Sequence, residues 1–119
     1  MRVAQAIRVA CRILVATLLL SFVLAQTTAS QMNALISALR NREFKKALTL
    51  VQVALKKSPE DPQLWAMQGT AYSGTGHRKE ALNSFRTALR ISPDYVPALR
   101  GAAQIEYDSG SQEAVPVLK

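Results

Sequence analysis

Few residues of this chain have the types and spacing that covalent chemistry asks for. His77 is the sole histidine among 119 residues and stands between Gly76 and Arg78. To drive a nucleophile it would have to activate a serine and be oriented by an acid. Ser73 and Ser84 are near in sequence, but neither lies in a nucleophile-elbow motif, so His77 reads as an exposed turn residue. The stretch Ser73-Gly-Thr-Gly76 has the glycines of a phosphate cradle. It lacks the lysine and hydroxyl that complete such a loop and follows a helical pattern, so it reads as a turn between helices. Glu60 with Asp61, and Glu106 with Asp108, are the close carboxylates. An acid–base pair needs an environment that pulls its two pKa values apart. Asp61 is placed to cap a helix, and Glu106 and Asp108, two apart on a helix, point in different directions. One cysteine, Cys11, excludes an internal disulfide, and one His with one Cys cannot build a multi-cysteine or multi-histidine metal centre. These residues predict no catalysis, no cofactor and no metal site.

The formal net charge of +7, from 15 basic and 8 acidic residues, raises nucleic acid as a partner. Arg40, Arg42, Lys45, Lys46, Lys56 and Lys57 are the main cluster. They flank helix ends, and no aromatic residues interleave with them to stack on bases. No nucleic-acid partner is expected.

Three of the cations, Arg2, Arg8 and Arg12, belong to a different device. They precede Ile13–Ala25, 13 residues without a charge, which end in Val23-Leu24-Ala25. A basic head, a short apolar stretch and small residues at its end make a secretory signal peptide of residues 1–25, cut after Ala25 or after Ala29. The alternative is an uncleaved signal anchor, although a bilayer about 30 Å thick asks for about 20 apolar residues. Beyond residue 25 the excess of cations falls to +4 and no cysteine remains. The expected location is exported, periplasmic or secreted, or inner-membrane anchored if the segment stays. The membrane is then met through that segment alone.

The elements that follow are helices. Leu35, Ile36 and Leu39 recur at helical spacing, as do Phe44, Leu48, Val51 and Leu55. Asn41 is a plausible N-cap, Ser58-Pro59 stops a helix, and Asp61-Pro62 restarts one as cap and first residue. Ser92-Pro93-Asp94 repeats the stop. The punctuation predicts six helices over about 30–40, 43–57, 62–74, 78–91, 95–108 and 112–118, and no strand.

This punctuation recurs every 34 residues: Ala47-Leu48 with Ala81-Leu82, Ala54-Leu55 with Ala88-Leu89, and Ser58-Pro59 with Ser92-Pro93. The best copy reads Trp65-x3-Gly69-x2-Tyr72, Ala81-x3-Phe85-x2-Ala88 and Pro93, with Gln68 where a leucine is usual and Met67 beside it for bulk. At this spacing the chain resembles the tetratricopeptide repeat (TPR) proteins, and with its signal segment an exported bacterial type. The resemblance implies an all-α, right-handed α-solenoid of antiparallel helix pairs over residues 30–119, with repeats at about 28–61, 62–95 and 96–119. Its signature residues are Trp65, Gly69, Tyr72, Ala81, Phe85, Ala88 and Pro93, with Ala47, Ala54 and Pro59 in the first copy. Gly69 is expected to face Ala81.

The resemblance further implies a concave groove lined by the first helix of each pair, receiving a protein or peptide. Carried over position by position, it assigns Met32, Ile36 and Leu39, then Ala66, Thr70 and Ser73, then Arg100, Gln104 and Asp108. Ala66 and Thr70 stand where a Lys/Asn clamp for a partner's terminal carboxylate would be, which sets that mode aside. The expected function is a protein–protein adaptor or scaffold in the envelope or outside the cell. The alternatives are a membrane-tethered assembly factor and the N-terminal regulatory segment of a longer enzyme. By the 34-residue period the third repeat stops about ten residues early at Lys119. The expectation is a fragment of a longer array; the alternatives are an apolar edge at Val115, Val117 and Leu118 that self-associates, or a frayed last turn.

Overall fold

A computed structural model describes residues 2–117, with side-chain surroundings for residues 2–110 apart from 25 and 27. Five helices account for the described residues: α1 (Arg2–Arg40), α2 (Phe44–Lys57), α3 (Pro62–Gly74), α4 (Arg78–Ile91) and α5 (Val96–Val117). The chain divides into two units, Met1–Asn33 and Ala34–Lys119.

The first unit is a single helical stretch whose large apolar side chains, from Val3 to Leu24, are all exposed. Thr17 Oγ1 donates to the Leu14 carbonyl at 2.8 Å, and Ser21 Oγ to that of Thr17 at 2.9 Å. Its two hydroxyls are thus spent on their own backbone. The expected start of a helix near residue 30 is corrected: α1 runs through that point without a break. Residues 26–33 contain neither glycine nor proline, so nothing in them interrupts a helix entering from either side.

In the second unit the helices form because their apolar positions fall on one face and their ends are marked. Ala47, Val51 and Leu55 of α2 are buried at four-residue spacing, and Lys56 and Lys57 meet the negative end of its dipole. Asp61 caps α3, its Oδ1 accepting from the Gln63 N–H at 2.9 Å, with Pro62 at the first helical position. Leu35 and Ala38, on the last turns of α1, are buried with them.

The turns before α2 and α4 are built alike. The Glu43 N–H reaches the Ala38 carbonyl at 2.9 Å and the Arg42 N–H reaches Leu39 at 3.2 Å. In the next repeat the His77 N–H reaches Tyr72 at 2.9 Å and the Gly76 N–H reaches Ser73 at 3.1 Å. This is the double closure of a left-handed helix end, with Arg42 at φ 60° and Gly76 at φ 82° in the left-handed place. Asn41 is therefore not a cap. Its N–H continues α1 to the Ser37 carbonyl at 2.9 Å, and Glu43 precedes α2 without a side-chain cap bond.

The expected break between residues 108 and 112 is also corrected, because α5 is continuous through it. Gly110 does not take the positive φ that Gly76 takes, and Ser109 Oγ bonds back to the Ile105 carbonyl at 2.9 Å within the helix. The proposed edge at Val115, Val117 and Leu118 lies outside the residues whose side chains are described.

α2 packs on α3, α3 on α4 and α4 on α5, and α5 also reaches back to α3. The contact of α3 with α5, first helix on first helix across a repeat boundary, makes the second unit a solenoid. Five buried alanines, Ala66, Ala81, Ala88, Ala98 and Ala102, let the backbones approach around Phe85. Gly69 faces Phe85 and not Ala81: a Cβ there would sit 2.8 Å from the ring. A Cβ at Gly101 on α5 would collide with the other side of that ring. Phe85, 3% exposed, is thus held in a slot made by two glycines from successive repeats. Trp65 ties α3 to the preceding loop, its Nε1–H donating to the Pro59 carbonyl at 2.8 Å.

Gln68, the departure from the repeat pattern, is buried and meets Ser84 across the α3–α4 contact. Ser84 Oγ lies 3.1 Å from Gln68 Oε1 and 3.0 Å from the Glu80 carbonyl, and shares its proton between them. A polar pair, and not the bulk of Met67, fills the place of the usual leucine. Ser84→Ala is expected to cost about 1–3 kcal/mol by stranding a buried amide, whereas Gln68→Leu with Ser84→Ala should return to near the native value. Urea unfolding followed by circular dichroism reads both, and a double variant as weak as the single would refute the pairing.

Candidate binding groove

Where α5 leans on α3, the α3–α4–α5 junction leaves an open cavity of about 410 Å³. Thr70 from α3 and the edge of Phe85 from α4 form one wall; Val96, Pro97, Arg100, Gly101 and Gln104 from α5 form the other. The α5 residues follow from helix geometry, since 96, 100 and 104 are spaced by four and share a face. Val96 is 58% exposed, an apolar side chain presented to solvent at the mouth.

The polar groups are partly spent. Thr70 Oγ1 donates to the Ala66 carbonyl at 3.0 Å, and Gln104 Nε2 donates to Asp108 Oδ1 at 2.9 Å. Arg100 is exposed and forms no ion pair with the described residues. The groove therefore offers an apolar floor, one guanidinium, and a glutamine whose carbonyl still accepts. That set can hold an extended peptide or a helix by shape, an apolar anchor and a charged contact. Among the described residues no cluster of three or more His, Cys, Asp or Glu could hold a metal ion.

Of the residues assigned from sequence, Thr70, Arg100 and Gln104 line this cavity, with Asp108 attached through Gln104. Ser73 is exposed on α3, and Ile36 and Leu39 are half-buried on α1, outside its lining. Met32 belongs to the other unit. Ala66 is corrected: at 4% exposure it packs in the core with Ala98 and Ala102 and faces no groove. Val96, Pro97, Gly101 and the edge of Phe85 were not anticipated. The four-residue steps back from Arg100 to Val96 and from Gly101 to Pro97 were the available signal.

His77 and Ser84 are not brought together. His77 Nδ1 shares a hydrogen bond with Thr75 Oγ1 at 2.8 Å and its ring stands edge-on to Tyr72 at 6.2 Å, while Ser84 is bound to Gln68. Tyr95 is half-buried before α5; burial, and then the nearby Asp61 carboxylate, raise its phenol above the ordinary value.

The chain shares 35% identity over 75 residues with Superkiller protein 3 of Schizosaccharomyces pombe, covering 63% of this chain and 5% of that protein. It shares 32% identity over 78 residues with Tetratricopeptide repeat protein 37 of Xenopus laevis, covering 65% of this chain and 5% of that one. Together with the glycine-slotted aromatic and the α3–α5 contact, these similarities decide the architecture. The helix pairs are of the tetratricopeptide type. No family model matches the chain. A further relative is the peroxisomal targeting signal receptor of Candida glabrata, 31% identical over 58 residues, 49% of this chain and 10% of the receptor. The chain thus spans between a twentieth and a tenth of the length of these proteins. Within the tetratricopeptide frame Thr70 and Gln104 hold equivalent positions, as do Ala66 and Arg100, 34 residues apart.

Proposed function

We propose that the chain is a protein–protein interaction adaptor that receives a peptide or helix of its partner in the groove between α3 and α5. The observation that carries this reading is the cavity itself: an apolar floor at Phe85, Val96 and Pro97 beside the ion-pair-free guanidinium of Arg100. A resemblance to a protein named as a receptor for a targeting signal is in keeping with a peptide ligand. The role is binding without catalysis, and an envelope or secreted setting fits the apolar N-terminal segment.

Crosslinking followed by capture, with the unmodified chain and with Arg100→Glu/Gln104→Lys, tests the site. The expected result is loss of the captured partners from the variant. Recovery of the same partners by both would remove the groove from the argument.

One observation favours a second reading, that of a membrane-tethered assembly factor. α1 is long and apolar enough to cross a membrane, and it continues without a break into the helix that carries Leu35 and Ala38. Its hydroxyls are satisfied internally, as an apolar medium requires. Gln26 as the first residue of the mature chain would support release, and an intact Met1 in the membrane fraction would support tethering.

A further inference from the structure

The cations of the second unit are gathered on one edge. The turns before α2 and α4 carry Arg40, Arg42, Lys45, Lys46, Arg78 and Lys79 against two carboxylates, Glu43 and Glu80. Glu43 is already engaged by Lys46 at 3.3 Å. The two turns are neighbours, because Thr75 of the second lines a hollow of about 460 Å³ with Arg42, Phe44, Lys45 and Lys46 of the first. At the opposite ends of these helices the charges balance: Lys56, Lys57 and Arg90 stand with Glu60, Asp61 and Asp94. The asymmetry is a property of position in the fold and not of overall composition.

Arg42 sharpens the point. It occupies the left-handed position that Gly76 occupies in the next repeat, 34 residues on. Glycine takes that conformation without steric cost and a side chain does not. The first turn therefore keeps a cation where the backbone favours glycine. Strain of this kind at a surface turn motivates a functional reading.

We infer that this basic edge docks an acidic segment of a partner protein, on a surface distinct from the α3–α5 groove. The hollow between the turns seats a short side chain of that segment, and Arg42, Lys45 and Lys79 meet its carboxylates. An acidic polypeptide fits better than a nucleic acid. The local aromatic ring, Phe44, lies against Gly74, where a Cβ would collide with it, and so is turned inward and not offered for stacking on bases.

The test uses the full chain in neutral detergent at low salt, with fluorescence anisotropy of a labelled Glu-rich peptide and, separately, of a single-stranded oligonucleotide of equal charge. The unmodified chain should bind the peptide more tightly than the oligonucleotide. Arg42→Gly/Lys45→Gln should weaken peptide binding by about fivefold or more. Arg42→Gly alone should weaken it while leaving the unfolding temperature the same or higher, a combination that a purely structural role for Arg42 does not produce. Arg100→Glu, in the groove, should leave peptide binding unchanged. The inference is overturned if the peptide does not bind, if the oligonucleotide binds more tightly, if the double variant binds as well as the unmodified chain, or if Arg100→Glu has the larger effect.

Discussion

Phe85→Ala is expected to lower the unfolding free energy by about 3–5 kcal/mol, enough to remove much of a stability of about 5–15 kcal/mol. The ring is 3% exposed and touches elements of two repeats. Its loss removes the transfer energy of an aromatic side chain and leaves a void that α3, α4 and α5 cannot easily close. Their spacing is already set by Ala81, Ala88, Ala98 and Ala102 in contact around it. Because each repeat of a solenoid is held by its neighbours alone, the damage should be uneven. Hydrogen exchange should rise first in α5, whose hold on α3 and α4 runs past this ring, and least in α2. Urea unfolding gives the magnitude. A loss below about 1 kcal/mol would show that the ring is not the joint between the repeats.

The period, the helix pairs and the repeat boundaries were legible in the sequence because their signals are local. Pro59 and Pro93 forbid helix at the residue before them, and Asp61 needs only the N–H of Gln63 to cap α3. What stayed hidden depends on residues far apart in the chain. That Gly69 faces Phe85 and not Ala81, and that Gly101 closes the other side, follows from the packing of three helices. Gln68 looked like a missing leucine because its partner, Ser84, lies 16 residues away on α4. Ala66 was assigned to the groove by its equivalence to Arg100, yet the first lies at the centre of the α3–α5 contact and the second at its rim. The site was legible to the extent that it repeats: Thr70 and Gln104 share a repeat position and a cavity. Val96 and Pro97 carry no repeat signature and enter the groove through helix phase alone. Two local rules also failed. A Ser-Gly pair at 109–110 suggested a turn, but a glycine tolerates a helix at a cost of only about 1 kcal/mol, and α5 continues. An asparagine at 41 suggested a cap, but the left-handed residue that ends α1 is its neighbour Arg42.

Gly101→Leu should be nearly as damaging as the loss of the ring, for the opposite reason. Glycine within a helix costs about 1 kcal/mol relative to alanine, so helix propensity alone forecasts a more stable protein. The slot forecasts the reverse. Any Cβ at 101 enters the volume of the Phe85 ring, and the ring cannot retreat because Gly69 backs it from the other side. Overpacking of this kind costs about 1–3 kcal/mol and should outweigh the propensity gain. Gly110, on the same helix, is the control, since a Cβ there meets nothing within 4 Å. Gly110→Ala should therefore raise stability by about 0.5–1 kcal/mol. The decisive measurement is a double-mutant cycle. With Phe85 shortened to valine, part of the ring's volume is vacated on both faces, and a leucine at 101 can fill it. The pair Phe85→Val/Gly101→Leu should then be more stable than the sum of its single effects predicts, by about 1 kcal/mol or more. Strict additivity would mean that the two residues do not share the slot, and the joint between the second and third repeats would have to lie elsewhere.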